Sequence, residues 1–497
     1  MDIFQYIPNL SLLYPEIIVT VLALMVLIAD LVVSKKRKVI IAVLAILGLL
    51  VALLSCIPLL GVNKTTFSGM FICDPFAMFF RILFLVIGVL TIFISIFYIA
   101  MEKIHLGEYY ALLLFAILGM MVMAAANDLM IIYLGIELMA LSVYALVGFL
   151  KHDLKSNEAA LKYFVLGAFT SGILLYGISL LYGETGSTNL GEIQKSLIAG
   201  GSSRTAVLAM ILLIAGFSFK IAAVPFHLWC PDAYDGAPTS ITAFMSVGPK
   251  AAGFAALLRV FVVALLPLKE EWTILLWVIS ASTMILGNVM GVTQTNVKRL
   301  LAYSSIAHAG YGLMGLVAAG NVITISRSGI EYTEDGRMGI YMVMFYLLVY
   351  TFMNLGAFGM VLLLRKNSLR GDEISNFAGL AKTNPFYAAA MTIFLLSLMG
   401  FPPFAGFVGK FYLFTVAIQA KLYILAVIGV LTSVISAYYY FLIIRAMYIE
   451  SPKESFQLIQ SKSLVFALMI TLILTVLIGL YPSPFLNFAR ESIFKLM

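Results

Sequence analysis

The amino-acid sequence predicts an all-α polytopic membrane protein with about 14 transmembrane helices, two of them discontinuous. Of its 497 residues, 62% are hydrophobic and only 11% are charged, and the mean hydropathy is +1.06. A soluble domain of any size has a far less apolar composition. Apolar windows of about 20 residues, the length that crosses a bilayer, recur along the whole chain. No polar stretch is long enough to separate two globular domains.

Fourteen windows are predicted to span the membrane: 11–33, 38–61, 74–98, 107–126, 128–150, 157–182, 204–226, 238–266, 273–292, 298–318, 338–364, 384–420, 423–444 and 463–483. The first window lacks the basic region, short apolar core and small-residue cleavage site of a signal peptide, so we expect a retained helix.

The seventh and twelfth windows are interrupted by proline and glycine, and each contains a lysine. Lys220 precedes Val224-Pro225, and Lys410 follows Pro402-Pro403. Because windows five apart cross the membrane in opposite directions, this pattern indicates two inverted five-helix repeats. The predicted segments are a three-helix segment at 1–106, repeats at 107–266 (spans 4–8) and 267–450 (spans 9–13), and a final span and tail at 451–497.

Each proline removes a backbone donor and frees carbonyl groups that lipid cannot satisfy. The two breaks are therefore expected to face protein or water. The alternative is a packed kink with no transport role.

Four charged residues fall inside predicted spans: Glu137, Lys220, Lys250 and Lys410. A charge at the bilayer centre costs about 2.5–3.5 kcal/mol on insertion scales, so such residues commonly line ion paths. Glu137 and Lys220 could share this cost by pairing, and their separation would then set how firmly the lysine holds its proton. The alternative is a static ion pair, which leaves Lys250 and Lys410 without an obvious acidic partner.

Two histidines are further candidates. His308 lies mid-span near Tyr303, Ser304 and Ser305, and a neutral imidazole there could relay a proton or be a satisfied core residue. His227 follows the Pro225 break and could admit a proton or bind a freed carbonyl. Arg81, Lys162 and Arg259 lie nearer span ends, where we expect them to snorkel to headgroups or loops.

The net charge of +7 does not indicate a nucleic-acid partner, because the basic residues lie mainly between spans. Placing both termini on the outer face puts sixteen of the 31 Lys and Arg residues in cytoplasmic loops and nine in outer loops and termini, as the positive-inside rule requires. Cys56, Cys73, Cys230 and the four histidines show no metal-ligand spacing, so no redox centre is expected in this chain.

Three stretches resemble the antiporter-like membrane subunits of respiratory complex I, the proton-pumping NADH-quinone oxidoreductase, and among them the N type. They are FKIAAVPFHLWCPDAYDGAPT (219–239), NVKRLLAYSSIAHAGY (296–311) and GFPPFAGFVGKFYLF (400–414). The resemblance extends from about residue 74 to 450. It implies that Glu137 and Lys220 are the family's paired residues, that Lys250 is the central relay lysine, and that Lys410 lies near the outer half-channel.

The resemblance also implies a proton-translocating subunit in the bacterial inner membrane. NADH, FMN, iron–sulfur clusters and quinone would be bound by other subunits, and this chain would bind no cofactor or metal. Its expected partners are the K-type and M-type neighbours and the lipid bilayer. A proton would pass Lys220, Lys250 and His308 and leave by Lys410.

Several alternatives stay open from the sequence. The M type usually has glutamate in place of Lys410, and the L type is longer. Subunits of multisubunit cation/proton antiporters share the PP-x-x-G-F-x-G-K pattern, and the plastid and cyanobacterial counterpart of the N type is closer still. A stand-alone secondary transporter and a membrane-arm protein that no longer pumps are readings from other classes.

Overall fold

The computed structural model describes residues 8–34, 38–102, 107–326, 329–331, 334–364, 372–451 and 461–493. Over these residues the chain is overwhelmingly α-helical. Both chain ends, and with them the predicted orientation of the termini, lie outside the described residues. So do the following basic positions used for that prediction: Lys35, Lys36, Arg37, Lys103, Arg327, Arg365, Lys366, Arg370, Lys453 and Lys495.

In the described ranges the α-helices are α1 (Tyr14–Val32), α2 (Val39–Ser55), α3 (Pro75–Met101), α4 (Glu108–Ala125), α5 (Leu129–Val147), α6 (Leu154–Thr185), α7 (Leu190–Gly200), α8 (Arg204–Lys220), α9 (Trp229–Gly236), α10 (Thr239–Arg259), α11 (Lys269–Val292), α12 (Val297–Val322), α13 (Glu334–Leu363), α14 (Leu380–Thr383), α15 (Pro385–Met399), α16 (Ala405–Gln419), α17 (Tyr423–Tyr448), α18 (Lys462–Leu480) and α19 (Ser483–Glu491). Short 3₁₀ segments cover Leu10–Leu13, Ile57–Leu59, Leu266–Leu268 and Ile374–Phe377, and a π-helical segment, Val260–Ala264, continues α10.

The chain also contains two short antiparallel hairpins that the sequence did not predict. Strand β1 (Lys64–Thr66) pairs with β2 (Phe71–Cys73), with Lys64 opposite Cys73. Strand β3 (Thr324–Ser326) pairs with β4 (Gly329–Glu331), also antiparallel. Strands of three residues are too short to show hydrophobic alternation, so the sequence pattern could not indicate them.

Twelve of the described helical segments are long and apolar enough to cross a membrane, and they coincide with twelve of the predicted spans. The predicted seventh and twelfth spans are split instead. Helix α8 ends at Lys220 and α9 begins at Trp229, while α15 ends at Met399 and α16 begins at Ala405. The Val224-Pro225 and Pro402-Pro403 peptide bonds in these breaks are cis. The polytopic helical architecture is therefore confirmed, with interruptions at both predicted places.

The centre of the molecule is formed by α10, α12 and α13. Almost every residue of their membrane-length windows is buried, whereas only 33–39% of the windows of α1, α2, α17 and α18 are buried. Helix α13 packs against both α10 and α12. The helices that carry Lys250 and His308 are thus shielded from lipid by the rest of the chain.

Helix α4 approaches α5, and α11 approaches α12, backbone to backbone. A Cβ at Gly119 of α4 would lie 2.6 Å from the Met139 nitrogen of α5, and one at Gly287 of α11 would lie 2.6 Å from the Ala307 nitrogen of α12. Small residues permit this approach in membranes, where packing replaces the hydrophobic effect as the main attraction.

The expectation that Arg81 and Arg259 snorkel is wrong. Both side chains are buried: Arg81 bonds Glu16 at 2.6 Å, and Arg259 makes a bidentate pair with Asp74 at 2.9 Å. Each arginine pairs with an acid that is far away along the chain. Because the pair compensates the charge, the arginine does not need to reach a headgroup. Lys162 is about half exposed and bonds acids of α6 and α9.

Candidate functional site

Lys220 is the last residue of α8 and lies directly at the first break. Its side chain is buried, and among the described residues its Nζ has no hydrogen-bond partner. The Nζ lies 5.7 Å from the centre of the Phe219 ring. A cation at the carboxyl end of a helix is favoured by the helix dipole. The geometry thus presents a buried amine without a fixed ligand.

Glu137 of α5 is partly buried and accepts a hydrogen bond from the Ser171 hydroxyl of α6 at 2.5 Å. No ion pair within 4.0 Å joins it to Lys220 in the described part of the chain, although the two charges still interact. The predicted pair is therefore open in this structure.

Lys250 lies in the interior of α10, immediately after Pro249. Its Nζ donates to the Ser305 carbonyl oxygen at 2.8 Å and to the Ser305 Oγ at 2.6 Å, both on α12. The ring centre of Tyr234, on α9, lies 5.8 Å away. Neutral oxygens hold this lysine in place of an acid.

His308 lies on α12, three residues after Ser305 and hence on the same face of the helix. Its Nδ1 is 2.5 Å from the Tyr346 hydroxyl of α13. The histidine therefore bridges α12 and α13, two of the central helices.

Lys410 lies in the second turn of α16 and is buried. Its Nζ donates to the Met399 carbonyl oxygen at 2.9 Å and to the Ser433 Oγ of α17 at 2.9 Å. It also lies 4.8 Å from the ring centre of Tyr311. Met399 ends α15, so the break provides a carbonyl oxygen for Lys410.

The charges of Lys250 and Lys410 both interact with His308, and we call these three residues the buried row. Glu137 and Lys220 lie outside this row. Sequence reasoning missed the carbonyls that hold the lysines, and it also missed Tyr346 and Ser433. Nothing local in the sequence distinguishes those two residues, because only packing of α13 and α17 brings them to the row.

His227 lies in the first break and is partly buried. Its Nδ1 has no partner among the described residues. No hydrogen bond given for the described residues joins it to Lys220 or Lys250.

A charged cavity of about 190 Å³ opens where α6, α9 and α12 meet. Asp232 of α9 accepts from Arg299 at 2.8 Å and from Lys162 at 3.0 Å. Partial burial tends to raise the pKa of Asp232, but these bonds and charges outweigh it, and the pKa lies below its usual value. This network ties the second half of the broken helix to its neighbours.

Within the described ranges, no group of three His, Cys, Asp or Glu residues is placed to hold a metal ion. Cys56, Cys73 and Cys230 are buried free thiols.

Helices broken at a row of buried lysines define a membrane subunit of the antiporter-like class. Residues 126–436, more than half of the chain, match the family described as NADH:quinone oxidoreductase/Mrp antiporter, transmembrane, and the chain belongs to this family.

The chain is 45% identical to NADH-quinone oxidoreductase subunit N of Trichlorobacter lovleyi over 99% of this chain and 98% of that relative. It is 43% identical to subunit N of Moorella thermoacetica over 97% of this chain and 98% of that relative. The predicted resemblance to the N type is confirmed.

Two solved structures have a similar fold over nearly the whole chain. A chain of respiratory complex I from Thermus thermophilus with bound aureothin is 31% identical, with a TM-score of 0.80 over 96% of this chain and 99% of that one. A chain of the Mrp complex from Dietzia sp. DQ12-45-1b is 19% identical, with a TM-score of 0.82 over 97% of both chains. The second likeness concerns the fold alone.

Proposed function

We propose that this chain is the proton-translocating N-type membrane subunit of an NADH-quinone oxidoreductase. The observation that carries the proposal is the row of buried cationic and hydrogen-bonding side chains, Lys250, His308 and Lys410, at the end of a broken helix. Buried lysines are costly in a membrane protein and are retained where charge moves. The relatives are named NADH-quinone oxidoreductase subunit N, which supports a complex whose other subunits transfer electrons from NADH to quinone.

In the proposed mechanism, the Glu137–Lys220 pair is the switch. An ion pair at 4 Å is worth about 4 kcal/mol at an effective dielectric of 20, which is enough to decide whether Lys220 keeps its proton. When Glu137 is held by Ser171, as here, Lys220 is free to pass a proton towards Lys250. The proton then moves by Ser305 and His308 to Lys410, and from there to the outer face.

We also propose fourteen spans arranged as two inverted repeats, 107–266 (spans 4–8) and 267–450 (spans 9–13), between a three-helix segment, 1–106, and a final span and tail, 451–497. Two observations support this arrangement. One helix is broken in each repeat, five spans apart. The first two helices of each repeat also pack backbone to backbone, α4 with α5 and α11 with α12.

The proposed neighbours are the K-type and M-type subunits of the same complex in the bacterial inner membrane. NADH, FMN, iron–sulfur clusters and quinone are assigned to other subunits. Both termini are placed on the outer face. Lys195→Cys should then react with an impermeant thiol reagent from outside and Lys151→Cys from inside, and the reverse pattern would contradict the orientation. The native thiols are buried, so they give little background.

The function is tested by NADH-driven acidification of inverted membrane vesicles, with NADH oxidation recorded in parallel. In Lys220→Ala both rates should fall while the assembled complex is still present on a native gel. Lys195→Ala is the matched control, because this lysine is 74% exposed and its ion pair, with Glu192, lies across one turn of α7. Unchanged rates in Lys220→Ala, with Na⁺ collapsing a preset pH gradient through the protein, would favour a cation/proton antiporter instead.

A further inference from the structure

Lys298 is a buried lysine that the proposed relay does not use. It is the second residue of α12, and it is only 3% exposed. Its Nζ donates to the carbonyl oxygens of Asp235 at 2.9 Å and of Ala237 at 2.8 Å. These carbonyls lie at the carboxyl end of α9, where the backbone of a helix offers no donors for them. Lys298 therefore caps the second half of the first broken helix.

The carboxyl end of α9 also contacts α6 and α10. A Cβ at Gly236 would lie 2.6 Å from the Lys155 carbonyl oxygen of α6, so the two backbones are in close contact. The Thr242 Oγ1, in the first turn of α10, donates to the Tyr234 carbonyl oxygen at 2.9 Å. The backbone around Tyr234 is thus bound on one side by α10 and on the other by Lys298 of α12.

Tyr234 connects this end of α9 to the relay. It is fully buried, and its ring centre lies 5.8 Å from the Lys250 Nζ. A cation near the face of an aromatic ring is attracted to it, and the attraction is larger away from water. The Tyr234 hydroxyl lies 3.5 Å from the Ser305 Oγ, the same atom to which Lys250 donates at 2.6 Å. Tyr234 therefore reaches both Lys250 and the residue that binds it.

Helix α12 holds α9 and Lys250 with the same face. Lys298 and Ser305 are seven residues apart, which places them two turns and about 10 Å apart along the helix axis. Ser305 keeps its place on α12 whatever α9 does. Tyr234 precedes Asp235, so its ring would move with the end of α9 if that end left Lys298. The bonds of Lys298 thus set where the ring lies relative to Lys250.

We propose that Lys298 is a positioning residue of the relay, which holds the end of α9 against α12 and thereby keeps Tyr234 beside Lys250 and Ser305. Lys298 does not itself carry the proton in this arrangement. The inference rests on the function proposed above, and it adds to the relay a lysine that acts through another residue.

The test measures NADH-driven acidification by inverted vesicles, with each rate divided by the amount of assembled complex on a native gel. Lys298→Met removes the donors and keeps a long side chain. Its rate per complex should fall about tenfold, because buried carbonyls without a donor make displaced positions of α9 competitive. Lys298→Arg keeps cationic donors, so it should be about threefold faster than Lys298→Met or more.

Lys269→Met is the matched control. This lysine also donates to a backbone carbonyl, that of Ile323 at 2.6 Å, but at the opposite end of α12. Its rate per complex should stay within about twofold of the wild type, because a distant site that shares no partner with Lys298 acts independently.

A double-mutant cycle shows whether Lys298 acts through Tyr234. Tyr234→Leu removes the ring and should by itself lower the rate about tenfold; adding Lys298→Met should then lower it by less than about twofold, whereas independent effects would multiply to about a hundredfold. Thr242→Val removes the bond to the Tyr234 carbonyl. It should lower the rate about threefold in the wild type and add no loss in Tyr234→Leu. This second cycle decides the question if Lys298→Met does not assemble.

The outcomes separate this inference from the proposed function. Losses that multiply in the cycle, an unchanged rate in Lys298→Met or in Tyr234→Leu, or equally low rates in Lys298→Met and Lys298→Arg would each overturn it. Unchanged acidification in both Lys220→Ala and Lys250→Ala would instead refute the relay itself.

Discussion

Replacing Asp74 by asparagine should strongly destabilise the protein. Asp74 and Arg259 are joined by two bonds of 2.9 Å, and their side chains are only 1% and 2% exposed. With charge centres about 4 Å apart and an effective dielectric of 20, the lost attraction is about 4 kcal/mol. Breaking one partner of a buried pair costs about 3–5 kcal/mol in measured cases, because the other charge is left uncompensated.

The Asp74→Asn change isolates the charge. The Oδ1 atom of Asp74 also accepts from the Ala77 backbone nitrogen at 2.8 Å, and an asparagine oxygen can keep that cap of α3. The assay is the midpoint temperature at which the detergent-solubilised complex loses this chain on native gels. We expect the midpoint to fall by several degrees in Asp74→Asn.

Two further variants make the test specific. Adding Arg259→Gln to Asp74→Asn should recover much of the loss, because no unpaired charge is then buried. Glu192→Gln breaks a pair of similar length, 3.0 Å, whose side chains are 74% and 58% exposed, and it should leave the midpoint unchanged. An Asp74→Asn protein that melts with the wild type would refute the reasoning.

Three other predictions follow from single contacts. Gly406→Ala should prevent assembly, because the new Cβ would lie 1.7 Å from the Ser397 carbonyl oxygen, whereas Gly183→Ala, which meets nothing within 4 Å, should assemble normally on a native gel. Ser171→Ala should lower NADH-driven acidification about fivefold without changing the amount of complex, because losing one hydrogen bond lets Glu137 close on Lys220; an unchanged rate would contradict the switch. Asp232 has a lowered pKa, so its stabilising effect is present above about pH 4, the unfolded-state value, and is lost as the pH falls through the lower folded value. The midpoint difference between wild type and Asp232→Asn should therefore be constant from pH 5 to 8, and a difference that disappears within that range would contradict this assignment.

The sequence predicted the helices and the two breaks because both depend on local signals. A long apolar window forms a helix over its own residues, and Pro225 and Pro402 break the helix at their own positions. The prediction that Arg81 and Arg259 snorkel was wrong, because their acidic partners lie 65 and 185 residues away along the chain. No local pattern in the sequence indicates a pair over such a separation, so the position of each arginine near a span end was misleading.

The site residues divide in the same way, into those that local sequence reveals and those that only distant packing brings together. The charge of Glu137 and of the three lysines inside apolar windows is visible in any reading of the sequence, because a charge there is rare. Their ligands are not visible, since Ser305 and the end of α15 reach them only through the packing of distant helices. The missing second and third acids, which the sequence left unexplained, are replaced by backbone and hydroxyl oxygens.

This choice of ligand has a consequence for the proposed relay. A lysine bound by a carboxylate cannot lose its proton without leaving a buried anion unpaired, which is costly. A lysine bound by carbonyl and hydroxyl oxygens can donate to them as an ammonium or as a neutral amine, so neither protonation state leaves an uncompensated charge on its ligands. Lys250 and Lys410 are suited to pass a proton in either direction, and Glu137, whose charge interacts with Lys220, lies where direction can be imposed. A carboxylate beside Lys250 or Lys410, rather than beside Lys220, would therefore trap the proton midway and stop transfer.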